Sequence, residues 1–359
     1  PYLILDTNHV ATNAEQIRSA FPDVDIFYAM KCNPHPDILE RLRSIDVGFE
    51  IASISELQQI LRLGVSASRM ACFHTIKSTE FLTQLNEHHV ARLAVDCVEE
   101  VDRIADICPD AEIFVRLDTQ TKHSRLLLNR KFGCSHEGSI DVMQHARNRG
   151  LTITGITMHV GSQCERLSDW QLAAEACRQL IEDALRRGFD LQTLSLGGGL
   201  PVHYNETVPT LQEIADCVLP EFALLRKDAG LRLMMEPGRR LVATAAILVA
   251  SVISVARRGD ESWVYLDAGV YHGLMEKLAI CGGFVLPVQV ERSDRPHVEY
   301  RLAGPTCDSI DVFPGSYRLP ELHPGDQIAF HHAGAYSASI STSFNGFQGP
   351  EILTNPAIV

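Results

Sequence analysis

From Asp25 to about Met235, short apolar runs alternate with stretches whose apolar residues recur every third and fourth position. The runs fall at 26–29, 47–50, 70–73, 93–96, 113–117, 153–159, 194–196 and 231–236, and stretches with helical spacing include 36–44, 53–63, 98–107, 169–187 and 210–230. Strands alternating with amphipathic helices predict βα units around a parallel sheet, and eight such units predict a (β/α)8 barrel, here over residues 8–235. Active-site residues of such a barrel stand at the C-terminal ends of its strands. Polar residues end or follow the runs in those places: Lys31, Glu50, Arg116, His159, Gly197 and Glu236.

Beyond residue 236 the helical spacing stops. Apolar runs at 248–255, 263–267, 285–290, 299–303 and 327–331 are separated by Gly, Pro and charged turns, which predicts an antiparallel β domain over 236–359. The opening run at 2–6 is expected to join it, giving a second domain of residues 1–7 and 236–359. The longest apolar stretch, 241–253, is shorter than the roughly 20 residues that span a bilayer, so it reads as one or two buried strands.

The chain has 359 residues, room for a large barrel or two domains. Its net charge of -13 argues against nucleic acid or an anionic membrane as a partner, since both repel an acidic surface. Ten cysteines lack paired Cys-x-x-Cys spacing and no signal peptide is read at Pro1, so reduced thiols in the cytoplasm are the expectation. No metal site is expected.

The candidate chemistry starts at Tyr28-Ala29-Met30-Lys31-Cys32-Asn33, where a buried strand ends on an amine. Desolvation there would free the lone pair for attack on a carbonyl carbon. Taken alone, a lysine after a strand is more often a solvated surface residue. Gly197-Gly198-Gly199 follows a late run, where backbone N–H groups can cradle a phosphate, although three glycines taken alone more often make a tight turn. Glu236-Pro237-Gly238-Arg239 sets a carboxylate at the end of the eighth run and a guanidinium three residues on. A local ion pair would be the structural explanation; a carboxylate for a pyridine nitrogen and a donor fork for a phosphate would be the functional one. His159-Val160-Gly161-Ser162 adds a cation-capable ring and a hydroxyl at the same mouth. Amine, phosphate nest, acid and stacking ring together are what pyridoxal 5'-phosphate requires.

With these motifs the chain resembles the alanine-racemase-fold decarboxylases of ornithine, lysine, arginine and diaminopimelate. Further matches are Phe49-Glu50-Ile51-Ala52-Ser53 with Glu56, Gly304-Pro305-Thr306-Cys307-Asp308 and Gly334-Ala335-Tyr336, and those closest to ornithine decarboxylases continue to Phe344-Asn345-Gly346-Phe347. The resemblance implies that Lys31 carries the cofactor, His159 stacks on its ring and Glu236 pairs with its nitrogen. It implies phosphate contacts from Ser162, Gly198, Gly199, Arg239 and Tyr336, with Gly197, Glu50 and Arg116 also at the cofactor. Cys307 is implied as proton donor, and Asp308, Tyr271, Glu276 and Phe344 as substrate contacts. In the family Cys307 and Asp308 come from the partner subunit, which implies a head-to-tail homodimer with shared active sites. A thiol is an acid of suitable strength near neutrality, whereas most free cysteines are simply small buried hydrophobes.

Eukaryotic ornithine decarboxylases place a second aspartate in the stretch matching 278–283, where this chain has Leu-Ala-Ile-Cys-Gly-Gly. Glu276 is the nearby acid that would substitute. An aspartate after the cysteine favours a substrate ending in a cation, so L-ornithine or L-lysine is expected, yielding putrescine or cadaverine. A conjugated diamino acid such as citryl-ornithine or citryl-diaminopropionate is the alternative, with Arg295, Arg301 and Lys277 as candidate carboxylate partners. A noncatalytic regulator of the antizyme-inhibitor kind conflicts with the retained Lys31, His159, Glu236 and Cys307, and the Cys-Asp turn argues against a racemase.

Overall fold

A computed structural model describes residues 1–127, 131–278, 283–291 and 294–355. It separates into two compact units, one of residues 14–201 and 208–238, the other of residues 1–13, 202–207 and 239–359. The dividing point thus follows Gly238, three residues later than the expected end of the barrel, and the first turns of helix Thr7–Ala20 group with the second unit.

The first unit is an eight-stranded parallel barrel. Its strands are Val24–Ala29, Gly48–Glu50, Met70–Ala71, Arg92–Val95, Glu112–Arg116, Thr152–Thr157, Thr193–Ser195 and Arg232–Met235, each paired to its neighbour in parallel. The third and fourth strands are joined by a bridge at Cys72 and Leu93, which closes the ring. Inside, Phe27, Phe73 and Phe114 fill the centre against Ala71, Ala94 and Met234. Space for the rings comes from glycine: a Cβ at Gly48 would lie 2.7 Å from the Phe27 ring, and one at Gly155 would lie 2.6 Å from that of Phe114. Each buried phenylalanine contributes about 1.5–3 kcal/mol by leaving water.

The helices follow local cues. Ser53 accepts from the Glu56 N–H to cap helix Ile54–Arg62, while Thr210 and Glu213 form a reciprocal capping box on helix Leu211–Val218. The expected helix over 210–230 breaks into Leu211–Val218, a 3-10 turn Leu219–Phe222 and Ala223–Asp228, because Pro220 supplies no N–H.

The second unit is an eight-stranded sheet built on the long strand Ala246–Arg258. The opening strand Tyr2–Leu5 pairs antiparallel with it and parallel with Glu351–Thr354. Strand Glu261–Leu266 runs parallel to His297–Ala303, so the sheet is mixed where antiparallel pairing was expected throughout. Tyr317–Pro320 and Glu351–Thr354 are strands beyond those the pattern predicts. The start of the 241–253 run is helical instead of extended: Arg239–Val242 and Ala243–Ala245 turn before the strand begins. No helix among the described residues is long and apolar enough to cross a membrane.

Candidate active site

Lys31 stands two residues past the end of strand Val24–Ala29, within the 3-10 segment Met30–Cys32. Met30 and Cys32 are buried on either side, and the buried Tyr28 hydroxyl donates to the Asn33 carbonyl at 2.9 Å, closing the turn that presents the amine. Lys31 Nζ lies 3.5 Å from Oε2 of the buried Glu50 at the end of the next strand. The lysine side chain is half-exposed, so the desolvated amine expected from the sequence is corrected: Glu50, not enclosure, conditions it.

A cavity of about 260 Å³ gathers Lys31, Glu50, Arg116, His159 and Glu236 within the barrel unit. Glu236 receives hydroxyl hydrogen bonds from Thr157, at 3.0 Å, and from Ser195, both on Oε1. That leaves Oε2 to meet another donor. Burial pushes the Glu236 carboxyl up to about 7, with Glu50 adding to the rise while Ser195, Lys31 and Arg116 oppose it. Thr157 and Ser195 were not anticipated as site residues. Their signal was position: each is the last residue of a barrel strand, Thr152–Thr157 or Thr193–Ser195, at the end where active-site residues stand.

His159 is held neutral. Burial, then the Arg116 and Lys31 charges, depress its pKa well below the ordinary value. The Gly161 N–H donates to Nδ1 at 2.9 Å, so Nδ1 is the acceptor and the ring proton sits on Nε2. The cation-capable ring of the sequence reading is therefore a neutral aromatic plate. Arg116 is pulled down by burial and raised by Glu236, and its guanidinium lies 5.2 Å from the Phe132 ring centre. His74, edge-on to the same ring, is a further cavity residue absent from the sequence reading.

The three glycines let the backbone of their loop pack closely beside His159 and Glu236. A Cβ at Gly198 would lie 2.9 Å from the Glu236 carbonyl and 3.0 Å from His159 Nε2, while Gly197 and Gly199 have positive φ, where a Cβ would meet the Met158 carbonyl at 1.9 Å and the Gly161 carbonyl at 2.4 Å. Ser162 opens the short strand Ser162–Cys164 that follows the histidine. The Gly198→Ala protein should melt at a lower temperature, because the added Cβ meets the Glu236 carbonyl, and should bind pyridoxal 5'-phosphate about tenfold more weakly, roughly 1.4 kcal/mol. Absorbance titration of the cofactor checks this; unchanged affinity would remove Gly198 from the cradle.

In the second unit, Arg239 is buried and bidentate on Glu276, with both contacts at 2.6 Å, and it donates to the Tyr204 hydroxyl at 3.1 Å. The rings of Phe284 and Tyr336 lie 4.4 and 5.0 Å from the guanidinium carbon. Glu276, expected to meet a substrate amine, is thus already matched to a guanidinium. Residues 279–282, where the second acid of the eukaryotic enzymes was missing, lie outside the described residues.

The Cys307–Asp308 turn is organised by Asp311, another residue not anticipated. Its buried carboxylate accepts from the Thr306 N–H and hydroxyl at 3.1 and 2.7 Å and from the Val270 N–H at 2.8 Å. Gly269 and Gly304 leave it room, since a Cβ on either would approach the carboxylate to 2.1–2.3 Å. The Tyr271 hydroxyl donates to Asp308 Oδ2 at 2.6 Å, holding Asp308 below its ordinary pKa and pushing Tyr271 up to about 12. The Tyr271 ring packs 4.6 Å from that of Phe344.

The described part of the chain from Thr7 to Ala243 corresponds to the pyridoxal-binding domain of pyridoxal-dependent decarboxylases, whose family model matches residues 7–243. The chain belongs to this family. It is 31% identical over 348 residues to a lysine/ornithine decarboxylase from Selenomonas ruminantium, covering 97% of this chain and 87% of that protein. Among solved structures it is similar to a lysine/ornithine decarboxylase from Vibrio vulnificus complexed with cadaverine, with a TM-score of 0.91, 29% identity and coverage of 99% and 92%. An arginine decarboxylase from Paramecium bursaria Chlorella virus gives a TM-score of 0.92 at 27% identity, covering 98% of this chain and 95% of that one. The protein is a pyridoxal-phosphate-dependent amino-acid decarboxylase, and the fold expected from its strand-helix alternation is borne out.

Proposed function

We propose that this decarboxylase acts on a basic amino acid, L-ornithine or L-lysine, releasing CO₂ and the corresponding diamine. The observation that carries the reading is Asp308: a partly exposed carboxylate directly after Cys307, held anionic by Tyr271 and the Ile310 N–H, suited to a distal ammonium. The named activities of the Selenomonas and Vibrio proteins support the same substrate class.

When bound, pyridoxal phosphate supplies the electron sink for the pair left by the departing carboxylate. Lys31 contributes the amine that holds it, and Glu50 keeps that amine oriented. Glu236 presents Oε2 as acceptor for the ring N–H; a positive charge there stabilises the carboxylate against its burial. Neutral His159 offers a flat face without adding a competing cation. Cys307 delivers a proton from Sγ to the carbon that lost CO₂. The family likeness assigns Cys307 and Asp308 to the site of the opposite subunit in a head-to-tail homodimer.

The conjugated-substrate alternative needs free donors for extra carboxylates. Arg295 is instead bonded to Asp326 and to the Glu321 carbonyl at 2.8 Å, and Arg301 donates to the Gly315 carbonyl at 2.7 Å. Lys277 is buried among the rings of Phe313, Tyr317 and Phe330, 5.3–5.5 Å away, where burial lowers its pKa to about 8.

The test is CO₂ release from ornithine, lysine, arginine, diaminopimelate and citryl-ornithine with saturating cofactor. Ornithine or lysine should give the highest kcat/KM, and Asp308→Asn should lower that value about 100-fold, mainly through KM. Preference for citryl-ornithine, or indifference to Asp308→Asn, would sink the proposal.

A further inference from the structure

Cys307 does not stand alone. The Asn345 side-chain carbonyl, Oδ1, lies 3.2 Å from both the Cys307 backbone nitrogen and its Sγ, accepting from the N–H and from the thiol. Asn345 occupies the left-handed region, φ 56°, inside the turn Phe344–Gly346, a conformation that asparagine adopts more readily than most residues.

The turn is tied to the rest of the unit. The Phe344 N–H donates to Thr342 Oγ1 at 3.2 Å, and the Thr342 N–H donates to the Tyr271 carbonyl at 2.8 Å. Val270, next in the chain, donates to Asp311, which itself fixes Thr306 beside Cys307. Cys307, Asn345, Tyr271 and Asp311 therefore lie on a closed ring of hydrogen bonds and short chain links, in which the bond from Asn345 reaches the sulfur. An amide oxygen can accept but not donate, and its contact with the thiol holds the Cys307 side chain in one rotamer.

We infer that Asn345 is a positioning residue for the proton donor: its Oδ1 holds the Cys307 sulfur in the one rotamer from which the thiol proton is delivered to the carbon that has lost CO₂. This rests on the reading of Cys307 as that donor. In the step the Sγ–H bond breaks, a C–H bond forms, and the thiolate left behind recovers its proton from water. A thiol without this anchor turns among its rotamers, and protonation at the cofactor's own carbon competes, giving an aldehyde and pyridoxamine phosphate.

The experiment measures the fraction of turnovers ending in pyridoxamine phosphate, by chromatography of cofactor-saturated enzyme acting on L-ornithine and L-lysine. Asn345→Gly keeps the positive φ without strain and removes only the acceptor; it should raise that fraction about tenfold. Should that variant not fold, Asn345→Ser, too short to reach the sulfur, carries the same expectation. Adding Asn345→Gly to Cys307→Ala should change the fraction less than about twofold, because both act through one sulfur. A wild-type fraction in the Asn345 variants alongside an abnormal one in Cys307→Ala overturns this inference alone, as does a fall in kcat with no change of fraction. Clean diamine from Cys307→Ala overturns the reading of Cys307 first, and this inference with it.

Discussion

Lys31→Ala should lower turnover by about a thousandfold or more, while the fold and the melting temperature of the cofactor-free protein stay close to wild type. The stability expectation follows from a half-exposed side chain whose ion pair with Glu50 contributes little, about 1 kcal/mol at most. The activity expectation follows from geometry. Lys31 is carried by a turn locked between buried Met30 and Cys32 and closed by Tyr28, at the mouth of the cavity that holds Glu236 and His159. A second amine, Lys131, lines the same cavity, 4.9 Å from the Phe132 ring centre. Borohydride reduction of the loaded wild-type enzyme followed by peptide mapping decides between the two. The pyridoxyl group is expected on Lys31, and its recovery on Lys131 would reassign the cofactor's attachment.

Mixing two defective homodimers, Lys31→Ala, which does not turn over, and Cys307→Ala, which forms little diamine, should restore diamine formation when subunits exchange. If Lys31 serves one site from one chain and Cys307 serves it from the other, each heterodimer holds one site with both defects and one with neither. Random exchange at equal amounts makes about half of the dimers mixed, which returns about a quarter of the wild-type sites by two-fold symmetry. Native mass spectrometry of the mixture shows whether exchange has occurred. If mixed dimers form and no activity returns, Lys31 and Cys307 act within one chain and the shared-site proposal fails.

The barrel was legible because its signal is local and repeated. Eight apolar runs at strand length, separated by helical spacing, leave few arrangements other than a closed parallel ring, and polar residues at strand ends mark its mouth. The β unit was legible as strands but not as a sheet. Tyr2–Leu5 pairs with Glu351–Thr354 across almost the whole chain, and Glu261–Leu266 lies parallel to His297–Ala303. A short run advertises its extended shape, but its hydrogen-bonding edge carries no mark of the partner it will meet.

The candidate site divides along the same line. Residue type and strand-end position were enough to single out Lys31, Glu50, Arg116, His159 and Glu236, which line one cavity of the barrel. Charge state and pairing were decided only by the tertiary structure. Burial and two nearby cations make His159 neutral, and two hydroxyls from other strands converge on one oxygen of Glu236. Glu276 meets Arg239, 37 residues away, before it can meet a substrate amine. Asp311 and Asn345 acquire their roles only where separate turns come together around Cys307. Sequence alone determined which chemical groups this protein possesses and the barrel that carries the first set. Folding decided which of them are desolvated, which are already paired and which way their protons point, because electrostatic energies depend on distances and solvent exclusion that exist only once distant segments are in contact.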